Sequence, residues 1–261
     1  MKFAFFTIKT VLKDRLFLMI ASLILVYAFI PVFSYFSMRE LQEVSITMSL
    51  TLNSFILLIL SVFGSIYTIW RDIERKYTFT LLSYPTSRIN YIFGRYFGFV
   101  SILLIITVVN LILGIIAIKV SASFYKSELP ILWQNIALSY MFSWLKYSLV
   151  LAIGFLFASF STSFFTPIFS TIAIYLAGNS IQGIYEYVVK DTENISAFIK
   201  KVVSVIYYIL PNLSSFDFTV SAVYALKIDL FSIYYTLAYF ILYLTIIFTL
   251  TCVIFNKRDL M

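Results

Sequence analysis

The chain has 261 residues, of which 62% are hydrophobic and 12% charged, with a mean hydropathy of +0.98 and a formal net charge of +7. That balance excludes an ordinary soluble domain, in which charged residues make up about 25%. Histidine is absent, which removes haem ligation by that residue and most zinc or proton-shuttle chemistry; the single cysteine, Cys252, forms no intrachain disulfide.

In chain order, residues 2–15 come first. Phe5, Ile8, Val11 and Leu12 fall on one helical face, and Lys2, Lys9 and Lys13 on another. This pattern predicts a short interfacial helix on the inner leaflet; a basic flank serving only topology fits it equally. The runs Leu16–Phe36, Ile46–Trp70, Tyr96–Ile118, Phe164–Tyr185 and Leu230–Phe255 then contain no Asp, Glu, Lys or Arg. Each exceeds the roughly 20 residues that carry a helix across about 30 Å of hydrocarbon. A sixth run, Ile136–Phe160, is interrupted only by Lys146. Barrel strands are excluded, since they alternate and run only ~10 residues. The expectation is an all-α integral membrane protein, one transmembrane domain over 1–261. Its six spans lie at about 16–36, 46–70, 96–118, 136–160, 164–188 and 230–255. The first run is too long for a signal-peptide core, and Tyr35, Phe36 and Met38 stand where a small-residue cleavage site would be. Pro31 is expected to kink it.

Charge sets the orientation. With both termini cytoplasmic, the inner segments hold eleven lysines and arginines against four acids, and the outer segments seven against eight. The positive-inside bias predicts that topology. The same distribution argues against a nucleic-acid partner, because the cations form no contiguous groove.

The connections are short except two. Spans four and five are predicted to join through a tight inner turn at Ser161-Thr162-Ser163, with Pro167 in the first turn of span five. Outside, residues 189–229 form the largest non-spanning piece. Within it, Ala197–Leu210 reads as a helix lying at or dipping into the outer face, ended by Pro211-Asn212. A further short helix is expected around Phe218–Leu226.

Residues 71–95 carry the other long connection. Arg71, Asp72, Glu74, Arg75 and Lys76 cluster below span two; Phe79, Leu81 and Leu82 then present apolar groups, and Pro85 stops the element. Ser87 is placed to cap the helix that continues as span three, beginning at Arg88. Helix, break and restarted helix are predicted, with leucines between charged flanks. Such a surface suits a partner's groove or the membrane interface alike. Inside the spans, Lys146 lies about 14 residues, or ~21 Å, from the inner end of span four. It is read as snorkelling or structurally paired, beside Trp144 and Tyr147; a cation facing a translocation path for an anionic cargo is the sharper reading. Asn53, Asn110 and Asn179 are read as interhelical glue, with cargo contact the alternative, and Gly94 and Gly98 as a close-packing pair.

Glu74-x(7)-Leu82-Ser83-x-Pro85-x-Ser87-Arg88, followed by Tyr91-Ile92-x-Gly94-Arg95-Tyr96, resembles the coupling segment of ABC type-2 exporter permeases. Leu210-Pro211-Asn212-Leu213 with Phe216-Asp217 resembles that family's outer stretch before the last span, and Phe255-Asn256-Lys257-Arg258-Asp259-Leu260 its terminus. Where many relatives carry Gly-Thr after the glutamate, this chain has Lys76 and Tyr77. The resemblance implies a permease that dimerises with a second copy or a sibling and binds two separate ATPase subunits. Its coupling helix would be 71–95, with Leu81, Leu82 and Pro85 docking, Phe79 and Ser87 beside them, and Glu74, Arg75 and Arg88 forming a charged rim. ATP and Mg would sit on the partner, since no G-x-x-x-x-G-K-[ST] loop occurs in this chain; no cofactor is expected here.

Two other classes compete. A membrane enzyme acting on lipid or peptide would need a carboxylate pair, a metal motif or a serine with a base, and no span carries one. An ion-coupled carrier would expose mid-bilayer ionisable groups and inverted repeats, and neither is visible. The Ile-, Phe-, Tyr- and Lys-rich composition fits an AT-rich prokaryotic genome, so a prokaryotic plasma membrane is the expected location.

Overall fold

In hydrocarbon a backbone satisfies its own N–H and C=O groups along a single segment only as a helix. The computed structural model of the chain follows that rule. It describes residues 2–12, 18, 22–37, 40–74, 88–124, 127, 129–191 and 196–257, and every regular element among them is helical. In order these are α1 (Lys2–Leu12), a 3₁₀ stretch Leu23–Phe29 running into α2 (Ile30–Tyr35), and α3 (Leu41–Ile59). A π turn, Leu60–Gly64, leads into α4 (Ser65–Glu74). Then follow α5 (Arg88–Phe124), α6 (Trp133–Phe160), α7 (Phe165–Tyr185) with a π extension Glu186–Asp191, α8 (Ala197–Ile209), a 3₁₀ turn Ser214–Phe216, α9 (Thr219–Val223) and α10 (Leu230–Lys257).

Among the described residues four helices are long and apolar enough to cross a membrane: Leu41–Gly64, Ile89–Phe124, Trp133–Phe160 and Leu230–Lys257. The other two expected spans differ for separate reasons. Helix α7 has 21 residues, about 31 Å at helical rise, but Pro167, Asn179, Gln182 and its serines and threonines dilute its apolar character. The described part of the first run is the shorter apolar stretch Leu23–Tyr35; residues 13–17 and 19–21 lie outside the described residues. Pro31 stands in the first turn of α2. It has no N–H for the Tyr27 carbonyl, which instead accepts from the Ile30 N–H, and the chain before it tightens to 3₁₀.

Helix α6 is the centre of the bundle. From Lys146 to Phe155 every residue is buried, as a helix must be when neighbours cover it all round. Helix α10 is peripheral and largely uncovered. The expected tight turn between α6 and α7 is present: the Ser161 hydroxyl accepts from the Ser163 N–H at 3.2 Å, and Pro167 stands in the first turn of α7.

The N-terminal helix forms, and its expected apolar face turns inward only in part. Thr7 and Val11 are buried with Ile8 packed beside them, while Phe5 is 71% exposed. The cause is a glycine on α5. A Cβ added at Gly98 would meet the Thr7 Cβ at 2.7 Å and the Ala4 carbonyl oxygen at 2.9 Å. Only glycine admits so close a crossing.

Helices α8 and α9 occupy the two positions expected of short helices, and α8 buries none of its residues. Between them Leu210–Asp217 dips into the bundle, burying Leu213 and Phe216. The Leu213 N–H donates to the Gly178 carbonyl at 3.0 Å, and a Cβ at Gly178 would lie 2.5 Å from the Pro211 carbonyl oxygen. Gly178→Ala is therefore expected to displace the 210–213 segment and to cost about 1–3 kcal/mol, read as a lowered unfolding midpoint in detergent. An unchanged midpoint would contradict this packing.

Candidate functional site

The most polar buried cluster lies where α4 ends and α5 begins, on either side of residues 75–87. Asp72 sits one turn from the end of α4, and Tyr91 and Arg95 are one helical turn apart on α5, so both reach the same carboxylate. Arg95 Nη2 donates to Asp72 Oδ2 in a buried ion pair. The Tyr91 hydroxyl donates to the same oxygen at 2.6 Å. Arg95 Nη1 reaches the Thr7 hydroxyl of α1 at 3.4 Å, and the guanidinium carbon lies 5.7 Å from the Tyr91 ring centroid. Arg95, Tyr91 and Asp72 are 1%, 1% and 3% exposed.

The cluster ties further elements together. Phe255, near the end of α10, stacks on Tyr91 with centroids 6.0 Å apart and planes at 21°. Ile69, Ile92, Phe155 and Thr251 close the space around it, leaving a void of about 10 Å³. That holds one water at most, so no substrate binds there. What the arrangement does is mechanical: one carboxylate, one guanidinium and one phenol fasten α4 to α5, and α5 to α1 and α10.

Of the expected coupling residues, Glu74 is the last residue of α4 and Arg88 the first of α5. Residues 71–74 and 88–95 thus continue the two flanking helices. Arg75, Phe79, Leu81, Leu82, Pro85 and Ser87 lie outside the described residues.

The four residues read as a possible translocation path do not form one group. Asn110 Nδ2 donates to Asn53 Oδ1 at 3.0 Å, both residues fully buried, so this pair joins α5 to α3 as interhelical glue. Lys146 is 8% exposed and does not snorkel. Its ammonium lies 5.7 Å from the Tyr175 ring and 5.9 Å from the Tyr147 ring, and the Asp217 carboxylate attracts it from beyond ion-pair contact. Asn179 turns back on its own helix, donating to the Tyr175 carbonyl at 3.1 Å.

A second polar cluster holds the outer segment. Asn212 Nδ2 donates to Gln182 Oε1 at 2.7 Å, the Tyr207 hydroxyl to the same oxygen at 3.0 Å, and the Asn212 N–H to the Tyr239 hydroxyl at 2.8 Å. Burial keeps the Tyr207 phenol above its usual pKa, so it remains a donor. Among the described residues no group of three or more His, Cys, Asp or Glu could hold a metal ion.

Sequence reasoning did not single out Asp72, Tyr91, Arg95 and Thr7 as a cluster. One available signal was an acid and a base inside opposite ends of the helices flanking one short connection, with a tyrosine at i−4 from the base. The Thr7 contact has no such signal, because it depends on a crossing at Gly98.

Removing one partner should expose the strength of the fastening. Asp72→Leu leaves Arg95 buried without its carboxylate and is expected to cost about 3–5 kcal/mol, whereas Asp72→Leu with Arg95→Met should regain most of the loss. Thermal unfolding in detergent checks both; a single-variant cost under ~1 kcal/mol would mean the pair is solvated. Lys146→Met, by contrast, is expected to be neutral or stabilising, since it removes a poorly compensated buried cation. A drop in unfolding midpoint on that substitution would mean that the tyrosines and Asp217 hold the ammonium firmly.

No family model matches this sequence, and no curated protein matches it either.

Proposed function

We propose that this chain is the transmembrane subunit of an ATP-driven exporter of the ABC type-2 kind. In this reading it crosses a prokaryotic plasma membrane six times with both termini inside. It pairs with a second permease, and two ATPase subunits dock on the 71–95 segment. The first apolar run, described over Leu23–Tyr35, and α7 complete the six spans beside the four long apolar helices. ATP and Mg belong to the docking subunits.

The observation that supports it best is the fastening of the two helix ends that adjoin 75–87. A push on a loose connection dissipates in the connection. Here Asp72 on α4 is held by Tyr91 and Arg95 on α5, α5 by Thr7 on α1, and Tyr91 by Phe255 on α10. Force applied between Arg75 and Ser87 would therefore move four helices together, because packed interiors transmit displacement with little compression. That is the mechanical property a permease needs if its energy source is another polypeptide. The motif order Glu74…Leu82-Ser83-x-Pro85-x-Ser87-Arg88 adds the docking surface.

Leu82→Asp tests the reading. It places a charge in an apolar docking contact, so insertion and unfolding midpoint should stay unchanged while ATP-driven transport falls at least tenfold in proteoliposomes holding the ATPase partner. Full transport by this variant would remove the docking assignment.

A further inference from the structure

Between the 3₁₀ stretch with α2 on one side and the last three turns of α5 on the other lies a groove of about 1110 Å³. That slightly exceeds the 300–1,000 Å³ of ordinary small-molecule sites. Its α5 wall is the single face Leu113, Ile116, Ala117, Val120 and Phe124, which rises about 16 Å at helical pitch. This is roughly half the ~30 Å hydrocarbon thickness, one leaflet. None of Asn53, Asn110, Lys146 or Asn179 lines it.

The chemistry of the groove selects its occupant. The Tyr27 hydroxyl is already committed to the Ser49 carbonyl at 3.1 Å, so the inner part offers a ligand only hydrocarbon. At the far end Tyr35 and Phe124 meet edge to face, with centroids 6.0 Å apart. Lys119 on the same turns of α5 is exposed, and its ammonium lies 5.8 Å from the Trp133 ring. An exposed lysine beside a tryptophan marks the level where a span leaves hydrocarbon for headgroups. The groove therefore runs from bilayer depth up to that level, apolar below and aromatic above. Leu25, Val32 and Ile116 are exposed along it, so it opens sideways to lipid.

We propose that this groove is a lipid site, seating an acyl chain of a membrane phospholipid lengthwise with its headgroup beside Tyr35 and Lys119. A second copy of the chain is the competing occupant, and cross-linking between copies in the experiment below tells the two apart. If the export reading holds, on which this last step rests, a tail-bearing amphiphile is the cargo class this groove would admit from the bilayer.

The full-length protein is reconstituted in phosphatidylcholine vesicles containing a trace of phosphatidylcholine with a diazirine on one acyl chain, irradiated and mapped by peptide. Labelling is expected to concentrate at least fivefold on residues 24–36 and 113–124 over the uncovered face of α10 around Leu250 and Val253. Ala28→Trp should abolish that excess by filling the groove; Val32→Trp gives the same reading should the first variant fail to fold, and Leu250→Trp should not alter it. Equal labelling of the groove and α10, or an excess that survives both groove variants, overturns the proposal. So does protection of the groove by cross-linking between two copies of the chain. The labelling requires no ATPase, so a failed lipid site and a failed transport reading are told apart.

Discussion

One buried ion pair organises the base of this bundle. Arg95 is almost without solvent contact, and a guanidinium in that position is tolerated only when a carboxylate and further donors or acceptors compensate it. Asp72 supplies the charge, Tyr91 donates to the same carboxylate, and Thr7 accepts from the guanidinium. The pair crosses between two helices separated in sequence by residues 75–87, so satisfying the charge requires those helices to stay in register. It also requires α1 to lie close enough for Thr7 to arrive, which Gly98 permits. A local electrostatic demand thereby fixes the relative placement of three helices, and the Tyr91–Phe255 stack adds a fourth.

Away from this cluster the bundle is held by weaker and more distributed contacts. Lipid tails are as apolar as leucine, so helices in a membrane gain little from hydrophobic burial against each other. Amides and hydroxyls replace it. Asn53 and Asn110 join α3 to α5, Ser121 links Ser34 and Ser45 at the far end, and Asn135 holds the outer segment through the Ser221 and Leu226 carbonyls. Close backbone approaches at Gly98 and Gly178 do the rest. The outer segment 210–217 is bound by both means, with Asn212 in a hydrogen-bond network and Pro211 against a glycine.

The legibility of these features follows their physical range. Helix, span and turn are set by composition over 10 to 30 consecutive residues, so α5, α6, α10, the Ser161 turn and both short outer helices could be read from the chain. The helix ends were less legible. The start of α5 at Arg88 follows from the cap expected at Ser87, whereas continuation of α3 and α4 through a π turn to Glu74, and of α5 on to Phe124, runs beyond the apolar stretches. Inward faces were less legible still. The N-terminal helix turns Val11 inward as periodicity favoured but buries Thr7 and exposes Phe5, because Gly98 on a helix some 90 residues away accepts a threonine. Lys146 was legible in part: a structural partner was one half of its reading, but that Tyr175 from another helix would be that partner had no local signal.

The export reading makes the fastened helix ends a transmission element, and such an element has meaning only if another subunit pushes on it. The most direct measurement is the intact mass of the tagged chain purified from its own host in mild detergent, with identification of every co-purifying protein. Two copies of this permease, or one with a sibling, together with two nucleotide-binding subunits are the predicted result. Recovery of the chain without any nucleotide-binding partner across several detergents would contradict it.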